Sequence, residues 1–139
     1  MQKIVSFLNT FPRNRLIILQ NVQDYDFVYT DLGYELSKAI GENSNHKQIS
    51  MLVSEALEKI IQSNEKAHLI IGNYLAIKNL GILMEDALKI NMVSFLNNQS
   101  QNRSLIVNWE GEIDQSMLYF LSKEKGKVIN LKGISHIVI

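Results

Sequence analysis

The chain has 139 residues, 46% of them apolar, and its 14 basic and 14 acidic residues cancel. This balance excludes the strong global field that concentrates proteins on nucleic acid or anionic membranes. The absence of cysteine excludes thiolate catalysis, structural disulfides and cysteine-ligated zinc. Because no linker rich in proline, glycine or serine divides the sequence, residues 1–139 are predicted to form a single domain with one core.

The N-terminal apolar run is too short and too interrupted for a signal peptide. Nowhere do roughly 18 apolar residues follow one another, as a membrane-spanning helix requires. We therefore expect a cytoplasmic protein without membrane partners.

The first part of the chain alternates between helical and strand-like patterns. A short helix is predicted before Pro12, and the continuous apolar run Leu16–Leu19 predicts a central strand covered on both faces. A β-prone run at 27–30 predicts a second strand. Asp31 can then cap a helix that extends to Ile40, where the following glycine ends it.

The middle of the chain contains the clearest helix, predicted over about 47–63 because apolar residues recur there at three- and four-residue steps. Asn45 and Gln48 form a variant of the capping box at its start. The apolar run 69–71 predicts a buried strand.

The last part is predicted to contain a helix, a strong strand and an antiparallel or edge-like β tail. The corresponding patterns lie at about 92–96, 104–109, 117–121, 127–131 and 134–139.

Two signatures of nucleotide hydrolysis are missing from this α/β pattern. The phosphate-binding loop needs two glycines five positions apart, followed by Lys and Ser or Thr, and no two of the seven glycines have this spacing. Gly72 follows the predicted strand 69–71, where a P-loop protein carries the carboxylate associated with magnesium. The residues therefore predict no catalytic group and no cofactor.

Three stretches of the sequence resemble BrxF, a family of small P-loop proteins of BREX phage-defence systems. They are residues 31–37 (DLGYELS), 69–73 (LIIGN) and 100–111 (SQNRSLIVNWEG). The resemblance implies a three-layer α/β sandwich derived from the P-loop NTPase fold, with a mainly parallel sheet and a short antiparallel C-terminal β segment. It also implies an accessory role in phage defence. Gly72 stands at the position of the expected aspartate, while Asn73 keeps its place.

The chain departs from this family between its first two predicted strands. Only residues 20–26 stand where the phosphate loop and the following helix would be expected. Seven residues span at most roughly 25 Å, and a parallel crossover needs about a dozen or more residues. Two strands joined here cannot be parallel neighbours. Either the first strand has changed its place in the sheet, or the resemblance begins at Phe27.

Without catalysis, association is the function that the resemblance favours. Arg103 would lie just before a buried strand and Trp109 at its end, where arginine and tryptophan can contribute charged hydrogen bonds and buried area. With Asn73, they are the candidate interaction residues. The expected partners are other phage-defence proteins or a second copy of the chain.

Two other classes of function remain open. The lysines Lys123, Lys125, Lys127 and Lys132 could form a local patch that contacts nucleic acid, directly or through a partner. Alternatively, acids gathered in three dimensions could serve a metal-dependent enzyme. The candidates are Asp24, Asp26, Asp31 and Glu35, although turn and capping roles explain them more simply. His46, His68 and His136 lack the spacing of a metal site, and no metal is predicted.

Overall fold

The computed structural model describes residues 1–20, 25–41, 49–120 and 126–139. The helices are α1 (Gln2–Leu8), α2 (Leu32–Ile40), α3 (Ile49–Asn64) and α4 (Met92–Asn102), with short 3-10 helices at Gly81–Met84 and Asp86–Leu88. The strands are β1 (Leu16–Leu19), β2 (Tyr29–Asp31), β3 (Lys66–His68), β4 (Gly72–Lys78), β5 (Ser104–Asn108), β6 (Glu112–Asp114), β7 (Met117–Tyr119), β8 (Val128–Asn130) and β9 (His136–Val138).

The main sheet has six strands, five of them parallel, in the order β2-β4-β5-β1-β9. β3 pairs antiparallel with the first part of β4. All four residues of β1 are buried between β5 and β9, which confirms the predicted central strand. A second sheet, β6-β7-β8, is antiparallel and confirms the predicted character of the tail.

Helices cover both faces of the main sheet, so the molecule has the predicted three layers. On one face, α2, α3 and α4 pack against alternate side chains of the strands, such as Leu16, Leu75 and Leu105. On the other face, α1 and Phe27 pack against the intervening side chains, including Ile17. The small sheet contributes to the first of these two clusters, so both sheets share one hydrophobic core.

The ends of α2 follow the sequence-based prediction. The Asp31 carboxylate accepts a hydrogen bond from the Tyr34 N–H at 2.9 Å, as an N-cap does. Gly41, with φ of 49°, ends the helix in a conformation that favours glycine. In α3, one apolar stripe is buried as predicted. The predicted cap residues Asn45 and Gln48 lie outside the described part of the chain.

The connection between β1 and β2 agrees with the limit set by its length. β5 and β4 lie between these two strands, so they are not neighbours. β2 starts later than the β-prone run 27–30 because Phe27 instead packs on the sheet face. The Val28 N–H donates to the Tyr74 hydroxyl at 3.1 Å, which ties this connection to β4.

The prediction of a buried strand at 69–71 is wrong. These residues form the turn between β3 and β4, and Leu69 is fully exposed. Gly72 has a φ of 76° and begins β4, so it stands at the amino end of the strand rather than at its carboxyl end. Lys78 ends β4. Gly72 therefore does not occupy the place of a magnesium-associated aspartate, because the apolar run before it is a hairpin turn.

Candidate functional site

The carboxyl ends of the parallel strands meet at one edge of the sheet, which is where open α/β sheets usually bind ligands. A cleft of about 260 Å³ opens there between the ends of β4 and β5. Asn79 and Asn108 line it beside Glu110, and Trp109 and Phe120 provide apolar walls. The cleft is small, and the polar residues in its lining are two asparagines, one glutamate and Tyr119.

Another acid at this edge, Asp31, is held by structural hydrogen bonds. Its Oδ1 accepts from the Tyr34 N–H and from Asn79 Nδ2, both at 2.9 Å. These bonds keep the pKa of Asp31 below its usual range. Asn79 fits against α2 because Gly33 has no side chain, since a Cβ there would lie 2.4 Å from Asn79 Nδ2. Asp31 thus joins α2 to the loop after β4.

Trp109 is 5% exposed and belongs to the main core cluster. Its Nε1–H donates to the Glu112 carbonyl at 3.3 Å. Gly111 allows the close approach of the small sheet, because a Cβ at this position would lie 2.2 Å from the Tyr119 carbonyl oxygen. The indole therefore packs where the two sheets meet and exposes little surface for a partner.

Arg103 lies at the opposite end of β5, in a fully bonded environment. Its side chain is 12% exposed and forms an ion pair with Glu65. Nη1 also donates to the Gln99 carbonyl at 3.2 Å and to Gln99 Oε1 at 2.6 Å. These contacts join β5 to α4 and to the connection between α3 and β3.

The three interaction candidates do not form one surface. Arg103 and Trp109 flank β5 at opposite ends, roughly 20 Å apart at the rise of a β-strand. Asn73 is exposed near the start of β4, where it pairs with Ala67 of β3. Asn73 and Arg103 therefore belong to the amino edge of the sheet, and Trp109 to the carboxyl edge.

The second acid with a lowered pKa, Asp26, is bonded to His68. The two side chains are 2.9 Å apart, between Oδ1 and Nε2, and this hydrogen bond holds the pKa of Asp26 below its usual range. His68 Nδ1 accepts from the Ile70 N–H at 3.1 Å, and its ring packs against Phe27. His68 thus fixes the turn after β3. His136 lies elsewhere, in β9, with Nδ1 2.7 Å from the Ile134 carbonyl.

The described residues include two of the four lysines of the predicted patch and two of the three histidines. Lys127 Nζ contacts Asp86 and the Met84 carbonyl, and Lys132 is exposed after β8, while Lys123 and Lys125 lie outside the described ranges. Asp24 and His46 also lie outside them. Glu35 pairs with Lys38 at 3.3 Å. Within residues 1–20, 25–41, 49–120 and 126–139, no group of three or more acids and histidines could hold a metal ion.

Sequence reasoning missed a group of exposed apolar side chains at the amino edge. We call Phe11, Leu69 and Ile70 the amino-edge apolar surface; they are 91%, 105% and 61% exposed. Phe11 follows α1 with a left-handed φ of 51°, and the other two form the tip of the β3–β4 turn. The two turns are neighbours, because Phe11 and Ile71 line the same cavity. The Gly72–Asn73 turn signal could have revealed this hairpin.

Comparison with known proteins gives no relative from which a role could be transferred. No family model matches the chain, and no curated protein or solved structure is significantly similar to it. Among the described helices, none has both the length and the hydropathy needed to cross a membrane.

Proposed function

We propose that this protein is a non-catalytic, degenerate P-loop-like accessory protein that acts through protein–protein contacts in a bacterial, BREX-type phage-defence system. The strand order supports the P-loop part of the proposal. When the five parallel strands β1, β2, β4, β5 and β9 are renumbered 1 to 5 along the chain, their order across the sheet, read from β9 to β2, is 5-1-4-3-2. The same order occurs in the P-loop ATPases that place an additional strand between the phosphate-loop strand and the magnesium-binding strand.

Two positions support the proposed loss of nucleotide hydrolysis: the segment after β1 and the carboxyl end of β4. After β1, residues 20–26 are too few for a phosphate loop with its helix. β4 would be the magnesium-binding strand, and it ends in Lys78 and Asn79 without a carboxylate. Because the sequence lacks the glycine spacing of a phosphate loop and its lysine, we expect the charge of a triphosphate to remain uncompensated here.

The observation that carries the interaction role is the amino-edge apolar surface. Its three side chains lie on two adjacent turns and are largely or fully exposed. Clustered apolar groups that remain in water mark contact surfaces more often than scattered ones do. The proposed partner is another phage-defence protein or a second copy of the chain, nucleic acid being reached through a partner. The proposed location of this role is the cytoplasm.

The proposal is tested by capture from the native operon, with the tagged full chain as bait. Leu69→Asp combined with Ile70→Asp should abolish capture of the partner, because two charges at the tip would have to be desolvated on contact. Met51→Asp is the matched control, since Met51 is 56% exposed on α3, away from this surface. Equal capture of the partner by both variants would refute the role of the amino-edge apolar surface in binding.

Nucleotide binding is tested separately by equilibrium dialysis of the same protein. We expect no tight binding of ATP and no turnover, with or without magnesium. Micromolar, magnesium-dependent binding would contradict the degenerate character of the nucleotide site.

A further inference from the structure

We propose that the cavity beneath the amino-edge apolar surface binds the C-terminal carboxylate of a partner protein together with its last, apolar side chain. This inference rests on the proposed function, because it takes the partner to be a protein. It names the chemistry by which the surface would recognise that protein.

The cavity has a volume of about 310 Å³ and lies between α1, the loop after it and the β3–β4 turn. Four apolar residues and two polar ones line it: Leu8, Phe11, Pro12, Ile71, Arg15 and Ser104. The two polar residues are the informative part.

Arg15 and Ser104 are cross-strand neighbours on one face of the sheet. Leu16 pairs with Leu105, so Arg15 lies opposite Ser104, and the ladder continues through the bond from the Leu105 N–H to the Arg15 carbonyl at 2.9 Å. Side chains alternate between faces along a strand. Leu16 and Leu105 point to the α3 side, so Arg15 and Ser104 point to the α1 side, where the cavity is.

Neither polar side chain has a partner within the described part of the chain. The Ser104 hydroxyl is buried and makes no hydrogen bond within the described part of the chain. Arg15 is half-buried and, in those same residues, no ion pair involves it. Buried polar groups are normally satisfied, so the unpaired Ser104 hydroxyl calls for an explanation, and the half-buried guanidinium of Arg15 beside it can bind an anion.

A carboxylate satisfies both groups at once. Arginine binds a carboxylate through two parallel N–H donors, and a serine hydroxyl can donate to the same oxygen. The apolar walls formed by Leu8, Phe11 and Ile71 require that an apolar side chain accompanies the carboxylate. An internal Asp or Glu does not meet this requirement, but a chain ending in Leu, Ile, Val or Phe does.

The size of the cavity favours a peptide over a long-chain fatty acid. At about 310 Å³, it is at the lower end of the roughly 300–1,000 Å³ of ligand pockets, which suits one side chain and one carboxylate. Leu69 and Ile70 stand outside the cavity. They provide an apolar surface for the residues that precede the C-terminus.

The test uses the pentapeptide acetyl-Ser-Gly-Thr-Val-Leu with a free carboxylate, titrated against the full chain by NMR and calorimetry. The C-terminal amide of the same peptide should bind roughly 10-fold or more weakly, since a charge-assisted hydrogen bond is lost. Arg15→Gln should lower affinity for the acid by a similar factor. Arg13→Gln is the matched control, because Arg13 is exposed and does not line the cavity.

Ser104→Ala separates binding from folding. It should weaken binding of the acid several-fold while the melting temperature stays the same or rises, because the hydroxyl has no bond in the folded chain. A lower melting temperature with unchanged affinity would contradict the role of Ser104.

Three outcomes would overturn the inference: equal affinity for acid and amide, an equal loss in Arg13→Gln and Arg15→Gln, or tighter Arg15-dependent binding of decanoate than of the peptide. The last would assign the cavity to a lipid. Failure here remains distinguishable from failure of the proposed function. Suppose that the Leu69 and Ile70 substitutions abolish capture from the operon in a protein that does not bind the peptide. In that case the contact surface is supported and only the proposed recognition of a carboxylate is wrong.

Discussion

The two edges of the parallel sheet differ in how completely their side chains are satisfied. At the carboxyl edge, Asp31, Asn79 and Trp109 are bonded to neighbouring elements. At the amino edge, apolar side chains face water, and the Ser104 hydroxyl makes no hydrogen bond to any residue that the structure describes. The usual ligand edge of an α/β sheet has thus become structural here. Unsatisfied groups, more than topology, indicate where this chain meets another molecule.

The largest expected effect is at the carboxyl edge. Trp109→Ala should lower the free energy of unfolding by about 3–5 kcal/mol, as for other large-to-small changes of buried aromatics, measured by urea denaturation. Tyr34→Ala, at an exposed aromatic of α2, is the control and should change stability little. If Trp109→Ala folds with nearly full stability but loses its partner, Trp109 is an interface residue after all.

The two arginines near the start of β5 sharpen the comparison within the amino edge. Arg103→Gln should lower the free energy of unfolding by about 1–2 kcal/mol, since its ion pair with Glu65 and its bonds to Gln99 are lost while Glu65 remains partly buried. Arg15→Gln should leave stability nearly unchanged. The check is a pair of denaturation curves; a reversed ranking would mean that Arg15 is the structural arginine.

A smaller effect is expected at the Asp31 cap. Asp31→Ala should cost about 1 kcal/mol at neutral pH, because α2 loses its N-cap and Asn79 loses its acceptor. The lowered pKa means that the ionised carboxylate stabilises the folded chain above its unfolded-state pKa. This contribution is lost as the pH falls through the lowered folded-state pKa. The difference between the parent and the variant should therefore shrink in acid, and a constant difference would argue against the cap.

The smallest effect on stability is expected at the tip of the β3–β4 turn. Leu69→Asp should change the free energy of unfolding by no more than about 0.5 kcal/mol, because the side chain is fully exposed. Thermal unfolding checks this value. A loss of several kcal/mol would show that Leu69 is buried in solution, for example by self-association.

The sequence predicted the elements whose apolar residues follow one period and whose ends carry caps. Leu16–Leu19 was recognisable as a central strand because all four residues are apolar, and α2 because Asp31 and Gly41 mark its ends. The run 69–71 was misassigned for the same reason that Leu16–Leu19 was found. An apolar run signals burial in either case, and the Gly72–Asn73 pair that follows the exposed run is the sequence signal that distinguishes it.

The candidate site was less predictable than the fold. Arg15 and Ser104 are distant in sequence and become neighbours only through the pairing of β1 with β5. No local sequence pattern predicts the pairing of these two strands. Nor does one distinguish an arginine that forms an ion pair from an arginine that does not. Arg103 attracted attention because it stands beside a recognisable strand, yet its bonds to Glu65 and Gln99 could be found only in three dimensions.

The position of β1 has a consequence for how the chain is made. Leu16 pairs with Leu105 on one side and with His136 on the other, so β1 leaves the ribosome well before either of its neighbouring strands. At roughly 5–20 residues per second, its apolar side chains and unpaired backbone N–H and C=O groups wait several seconds for the first neighbouring strand. During that time Leu16–Leu19 is a candidate segment for chaperone binding. Truncation before β5 should therefore give an insoluble product rather than a smaller folded unit.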